Sequence, residues 1–220
     1  MIEIVNITKK FGEQVVLDNV NINIAHNQNV LFIGQNGAGK SSLMKTILGQ
    51  YLPDSGYVSI DGFSPLKERK KALRNLTFVP QTPPPLKFNI NELISYVSKS
   101  SNTKESEIYK FCEKLDFDLK QNLKKPFYKL SGGMKQKFLI AIAFARNVDI
   151  MLFDEPTANL DPLGRDKFSE LLKEYFRQKS MIFISHRLDE IGEYIHRVIQ
   201  MDFGAIVKDE IIVGAKEIVK

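Results

Sequence analysis

Apolar and polar residues alternate at the start of the chain. "EIVNI" and "VNINI" place every second side chain on one face, so the segment from Ile2 to about Ile33 reads as short strands. "NVLFIG" breaks the alternation with a continuous apolar run closed by glycine, as expected of a strand buried on both faces of a parallel sheet. The period then changes. Leu43, Met44, Ile47 and Leu48 share one side of a helix running from Lys40 to about Leu48. "YLPDSG" is a turn, and "YVSIDG" and "LTFVPQ" are strands. In "TPPPLKFN" three consecutive prolines can neither donate to a ladder nor enter a helix interior, which predicts a stiff surface connector. From Asn91 to about Asn122 the pattern is helical and polar, a small lobe placed between sheet strands and bounded near residues 86 and 130.

The second half repeats the alternation of strand and helix. A helix from Gly132 to Arg146 leads into "DIMLFDE"; a helix from about Pro162 to Gln178 leads into "SMIFISH"; a short helix starts at Arg187. "RVIQMDFGAIVKDEIIV" reads as a hairpin with Gly204 at a positive-φ turn position, and its "DFG" stands without the other kinase elements. Strands alternating with helices predict α/β with a parallel core.

Composition narrows the class. The chain has 220 residues, 43% hydrophobic and 26% charged, which suits one large domain with an ordinary globular core. The net charge is +5. Its densest basic run, "KERKK" from Lys67 to Lys71, has no interleaved aromatics and reads as a solvated helix face rather than a nucleic-acid surface. The single cysteine, Cys112, excludes an internal disulfide and reads as a small buried apolar residue. "MIEIVNITKKFG" reads as a strand rather than a leader, and no apolar run reaches the ~18–20 residues of a membrane span. A soluble protein is expected.

Chemistry enters at "GQNGAGKS", Gly34 to Ser41, which fits G-x-x-x-x-G-K-[ST] between a buried strand and an amphipathic helix. Backbone N–H groups must approach phosphate oxygens closely, and side chains at Gly37 and Gly39 would obstruct them. Lys40 offers a point charge to the β- and γ-phosphates, Ser41 a hydroxyl to Mg²⁺, and Ser42 a further hydroxyl. Asp154 and Glu155 close the buried strand "IMLFDEP", at the sheet edge where parallel α/β folds bind ligands. Asp154 is placed to order Mg²⁺, and Glu155 to polarise an attacking water. Gln81 and His186 follow two further strands on the same edge; singly, each fits a turn residue as well as a ligand contact.

One stretch does not fit a single-site protein. In "YKLSGGMKQK", Ser131 caps a helix start with Gly132 and Gly133 behind it, a second anion-facing helix N-terminus. With this stretch in place, the chain resembles the nucleotide-binding subunit of ATP-binding cassette (ABC) transporters over nearly its whole length. "KKFG" resembles the adenine-stacking segment, here Phe11; "GQNGAGKSS", with Asn36 and Ala38, is similar to Walker A; "FVPQ" resembles the Q-loop; "LSGGMKQ" resembles the signature. "IMLFDEP" is similar to Walker B, "ANLD" with Asp161 resembles the D-loop, and "SH" resembles the switch histidine. Phe11 stands where tyrosine is common, Ser42 replaces a threonine, and Asn27 stands in a turn that usually holds glycine.

The resemblance implies an ABC-type P-loop NTPase fold: a mostly parallel core sheet, an N-terminal antiparallel β subdomain and an inserted helical subdomain, with residues 1–85 and 131–220 outside the helical part. It implies catalytic roles for Glu155, His186 and Gln81, metal contacts from Ser41, Gln81 and Asp154, and in-trans contacts from Ser131, Gly132, Gly133 and Gln136. ATP and Mg²⁺ are the expected cofactors. The expected partners are a second copy or a paralogous ATPase subunit, and separate transmembrane permease subunits docking near Gln81, the proline connector and the lobe. No nucleic acid is expected. The implied location is the cytoplasm, peripheral on the inner membrane face. The alternative is a soluble ABC ATPase acting on nucleic acid or the ribosome. A GTPase reading lacks the N-K-x-D guanine motif.

Overall fold

The computed structural model describes residues 1–185 and 191–212. The helix expected from Arg187, and His186 before it, lie outside the described residues. Among the described residues two sheets pack together. The first is antiparallel, in the order β2 (Gln14–Ile24), β1 (Ile2–Phe11), β4 (Ser55–Ile60). The second runs β5 (Leu76–Val79), β6 (Ile150–Asp154), β7 (Ser180–Ile184), β3 (Val30–Ile33), β8 (Arg197–Asp202), β9 (Ala205–Ile211). It is parallel apart from the β8–β9 hairpin. The core is therefore mostly parallel, as the alternation of strand and helix predicts.

The first strands are longer than the alternation suggests. Ile2, Ile4 and Ile7 are all buried, although the last spacing is odd. A register shift between Ile4 and Ile7 absorbs the extra residue, and Asn6 sits there with φ 49. Its backbone N–H donates to Asn21 Oδ1 at 2.8 Å. Asparagine tolerates this left-handed conformation better than most residues. Asn27 behaves the same way, with φ 57, in the turn where the resemblance expects glycine. Phe203 and Gly204 both have positive φ between the paired Asp202 and Ala205, a two-residue hairpin turn.

The parallel strands alternate between two cores. Ile150 and Leu152 of β6, with Ile182 and Ile184 of β7, face the antiparallel sheet and α1 (Lys40–Ile47). Met151 and Phe153, with Met181 and Phe183, face the helical layer. That layer contains α3 (Ile90–Ser101), α4 (Glu105–Lys114), α6 (Gly132–Ala145) and α7 (Pro162–Tyr175). The continuous apolar runs are strands covered on both faces. Phe153 and Phe183 stack with centroids 5.1 Å apart, and Phe168 meets Phe153 edge-on at 5.5 Å.

The lobe begins at a capping box: Asn89 accepts from the backbone of Glu92, and the Glu92 carboxylate accepts from the backbone of Asn89. The chain leaves beside the point where it arrives, because the Phe127 and Tyr128 N–H groups donate to the carbonyls of Phe88 and Leu86. Cys112 is fully buried, and burial pushes its thiol up to about 12. Two short α-helices, α2 (Arg69–Ala72) and α5 (Leu119–Asn122), and two single-turn 3-10 helices, Phe127–Lys129 and Gly192–Tyr194, also occur among the described residues. The basic run contributes only one turn of helix. Helix α7 stops at Tyr175 because the next bonds tighten: Gln178 N–H donates three residues back, to Tyr175.

Phe153→Ala should lower stability by about 3–5 kcal/mol in urea unfolding. A loss under about 1 kcal/mol would mean that the Phe153–Phe168–Phe183 cluster does not carry the core as its packing implies.

Candidate functional site

The strands end at a cleft of about 530 Å³. The loop between β3 and α1 forms its floor with Asn36, Gly37, Ala38, Gly39, Lys40, Ser41 and Ser42. Asp154 and Glu155 arrive from the end of β6, Gln81 from beyond β5, and Phe11 from the β1–β2 turn. Gly34 lines a smaller neighbouring cavity with Gln200 and Asp202. The sheet order makes this convergence possible, because parallel strands bring all their C-terminal ends to one edge.

Lys40 is 7% exposed. Its ammonium donates to the carbonyls of Gly34 at 2.6 Å and Gln35 at 2.9 Å, bonds within its own loop. Burial lowers its pKa, while Glu155 and Asp154 pull it back up. Asp154 is the complement. Burial raises its pKa, and the Ser41 hydroxyl and the Lys45 and Lys40 ammonium groups oppose that rise. Asp154 Oδ1 is buried without a hydrogen-bond partner. A carboxylate oxygen left bare beside a serine hydroxyl, at the mouth of a phosphate loop, suits a hard divalent cation whose remaining ligands are phosphate and water. No cluster of three or more His, Cys, Asp or Glu occurs among the described residues, so the protein's own donors are few.

Glu155 is buried and has φ 47, a conformation rare outside glycine and asparagine. Its N–H donates to Ile184 O at 2.9 Å, which extends the β6–β7 ladder one residue past Asp154. Such strain persists where its surroundings enforce it, and it concentrates at functional sites.

The glycines of the loop serve different ends. A Cβ on Gly37 would meet nothing within 4 Å, so that side is open for an incoming group. A Cβ on Gly39 would lie 2.6 Å from Val16 O. Gly39 is thus required by the overlying β2 strand rather than only by phosphate access, a reason the motif alone does not disclose.

Ser131, Gly132, Gly133 and Asp161 do not line the cleft. Ser131 caps α6, its Oγ accepting from Met134 N–H at 3.2 Å, so its own hydroxyl proton is left to donate outward. Gln136, the fourth residue expected to act in trans, is fully buried, and its amide N and O have no hydrogen-bond partner within the chain. It stands one turn beyond the exposed Gly132, on the same side of α6.

Three residues that the sequence reading did not single out tie these segments together. Asn159 Nδ2 donates to Gln81 O at 3.2 Å. The Asn159 carbonyl lies 2.9 Å from where a Cβ on Gly133 would stand. Lys137, nearly buried, pairs with Asp161 at 3.1 Å and holds that carboxyl below its usual range. Gly164 packs under this pair, where a Cβ would come within 2.6 Å of Asp161 Oδ1. Asn159 and Lys137 were visible inside quoted motifs, but no spacing rule tells which residues they reach.

A parallel α/β sheet with a glycine loop, a buried lysine and paired carboxylates at the strand ends defines a phosphate-loop nucleoside triphosphatase. The family model described as "ABC transporter" matches residues 17–158. The chain belongs to the ABC transporter family and is an ABC-type ATPase, the ATP-binding subunit of such a transporter. It is 30% identical over 219 residues to the energy-coupling factor transporter ATP-binding protein EcfA2 of Ligilactobacillus salivarius, across 93% of this chain and 76% of that one. It is 32% identical over 194 residues to the lantibiotic transport ATP-binding protein SrtF of Streptococcus pyogenes, across 87% and 82%. A dimeric ATP-binding cassette solved in a post-hydrolysis state with ADP and Pi superposes with a TM-score of 0.83 at 25% identity, covering 97% of this chain and all of that one.

Gly133→Ala and Gly132→Ala should differ in sign. Alanine ordinarily favours a helix by up to ~1 kcal/mol over glycine. At Gly132 the nearest atom to a new Cβ is 3.8 Å away, so that change should be neutral or stabilising in urea unfolding. At Gly133 the clash with the Asn159 backbone should destabilise by about 1–3 kcal/mol. Equal effects would refute the packing of the signature helix on the D-loop.

Proposed function

We propose that this subunit works as a nucleotide-bridged pair, in which each cleft is completed by the helix start of the other copy or of a paralogous ATPase subunit. The observation that carries this reading is the separation of the two phosphate-facing elements. The cleft gathers Lys40, Asp154 and Glu155, while Ser131, Gly132 and Gly133 stand outside it on the exposed end of α6. A two-fold axis that brings one copy's Ser131 to the other's cleft would use both elements at once.

Within that pair, the loop N–H groups and Lys40 hold the phosphates, with Lys40 exchanging its bonds to Gly34 and Gln35 carbonyls for phosphate oxygens. Ser41, Asp154 and Gln81 would hold Mg²⁺, which when bound neutralises charge on the β- and γ-oxygens. Glu155 orients a water and accepts its proton as that water attacks. Ser131 donates its hydroxyl proton to the partner's γ-phosphate. His186 is assigned to the γ-phosphate by the resemblance of its "SH" pair to the switch histidine. Phe11 stacks the adenine; Lys9 lies over its ring at 5.1 Å and Tyr51 meets it edge-on at 5.1 Å.

The membrane-spanning part is assigned to separate permease subunits; no helix among the described residues is long and apolar enough to cross a membrane. The subunit sits in the cytoplasm against the inner membrane face, with residues of about 86–130 as its helical subdomain. No role on nucleic acid is assigned.

Glu155→Gln should retain ATP binding, lower turnover by roughly 10²–10⁴-fold and accumulate an ATP-dependent dimer in size-exclusion chromatography. Near-normal turnover would remove Glu155 as the base. Ser131→Arg should abolish hydrolysis while leaving nucleotide affinity of the isolated chain within about twofold. Hydrolysis at the normal rate in that variant would mean that no helix start is shared between copies.

A further inference from the structure

Phe11 is 47% exposed at the end of β1, yet it lines the nucleotide cleft. An exposed ring on a strand end turns about χ1 and must be ordered each time a base stacks on it, which costs affinity. The surroundings of Phe11 reduce that cost. The Lys9 ammonium stands over its ring, 5.1 Å from the centroid, and Tyr51 meets it edge-on with the centroids 5.1 Å apart.

Both neighbours are themselves held. Lys9 pairs with Asp54 at 3.5 Å, and the same carboxylate accepts the Lys10 N–H at 2.6 Å. The Asp54 N–H in turn donates to Thr8 O at 2.8 Å. Residues 51–54, between α1 and β4, are thus stitched to the end of β1. Tyr51 is half-buried and is tied to α1 through Lys45. Its N–H donates to Lys45 O at 3.3 Å, and its hydroxyl accepts from the Lys45 ammonium at 3.3 Å. That ammonium also lies 5.3 Å from the Tyr51 ring centroid. Lys45 belongs to the helix that opens with Lys40, Ser41 and Ser42. One tyrosine therefore touches both the ring assigned to the base and the helix assigned to the phosphates.

We propose that Tyr51 is a positioning residue for the nucleobase of the bound triphosphate: anchored on α1 through Lys45, it holds the Phe11 ring in register with the phosphate loop. Tyr51 acts through Phe11, so its role rests on the reading of Phe11 as the stacking residue. A ring face accepts any base, and its grip depends on how well the two π-systems overlap. A platform fixed before the nucleotide arrives strengthens the hold on the base and leaves the hold on the phosphates unchanged. Loss of Tyr51 should therefore separate the two: binding of a nucleotide weakens, and binding of a base-free triphosphate does not.

Steady-state ATP hydrolysis by the full chain, with inorganic tripolyphosphate as a base-free competitive inhibitor, tests this. Phe11→Ala should raise the KM for ATP roughly 5–100-fold, and Tyr51→Leu about 2–10-fold. Tyr51→Leu should leave kcat and the inhibition constant of tripolyphosphate within about twofold, which also shows that its phosphate loop is folded. Tyr51→Phe keeps the ring and should return the KM to within about twofold of the unsubstituted chain. In the Phe11→Ala background Tyr51→Leu should have no further effect, because the group it acts through is gone. Effects that multiply in the double variant, an equal loss of ATP and tripolyphosphate binding in Tyr51→Leu, or a KM that Phe11→Ala raises and Tyr51→Leu does not, would overturn the role of Tyr51 and leave Phe11 as the stacking residue. A KM unmoved by Phe11→Ala would overturn the stacking reading, and the role of Tyr51 with it.

Discussion

The Lys40 ammonium is held almost out of water at the edge of the sheet, and the cleft is organised around that constraint. Burial lowers its pKa, and the Glu155 and Asp154 carboxylates oppose that fall. Asp154 is buried as well: burial raises its pKa, and the Ser41 hydroxyl and the Lys45 and Lys40 ammonium groups oppose that rise. Such groups hold their places only on rigid supports. The parallel ladder supplies one: β6 is bonded on both sides, to β5 and β7, and is covered by apolar cores on both faces. The aromatic cluster at Phe153 thus lies one residue from the first carboxylate, and core packing and site electrostatics share a strand.

A second constraint is steric. The start of α6, the "ANLD" segment and the Gln81 loop approach so closely that Gly133 has no room for a Cβ and Asn159 bonds to the Gln81 backbone. Lys137 and Asp161 close the same contact from the other side. A side chain at Gly133 would force these segments apart. A chain of contacts thus joins the Gln81 loop beside the nucleotide cleft to the exposed Ser131 end of α6. The helix, fourteen residues and about 20 Å long, runs from there to Arg146.

Charge was the least legible feature in one dimension. The "KERKK" run, judged by itself, is a solvated helix face, and its residues are indeed exposed. Only one helical turn forms there, and the fold sets those cations opposite Lys99 and Arg146, from helices some 30 and 75 residues further along. Proximity of that kind is created by topology and leaves no mark on local composition. The buried state of Gln136 was hidden for a related reason. It stands between two lysines, and Lys137 is buried with it although both residue types are usually exposed.

By itself the sequence determined what short-range physics controls. Period two and period 3.6 marked strands and helices, continuous apolar runs marked strands covered on both faces, and glycine, lysine and serine at close spacing marked the phosphate loop. These signals are local, because backbone geometry repeats over a few residues and a loop's N–H groups belong to consecutive positions. The bulge at Asn6, the strained backbone of Glu155, the clash that requires Gly39, and the bond from Asn159 to Gln81 were decided by the tertiary structure alone. Each depends on which distant strand or loop lies within about 3 Å, a distance set by how the sheets and helices pack.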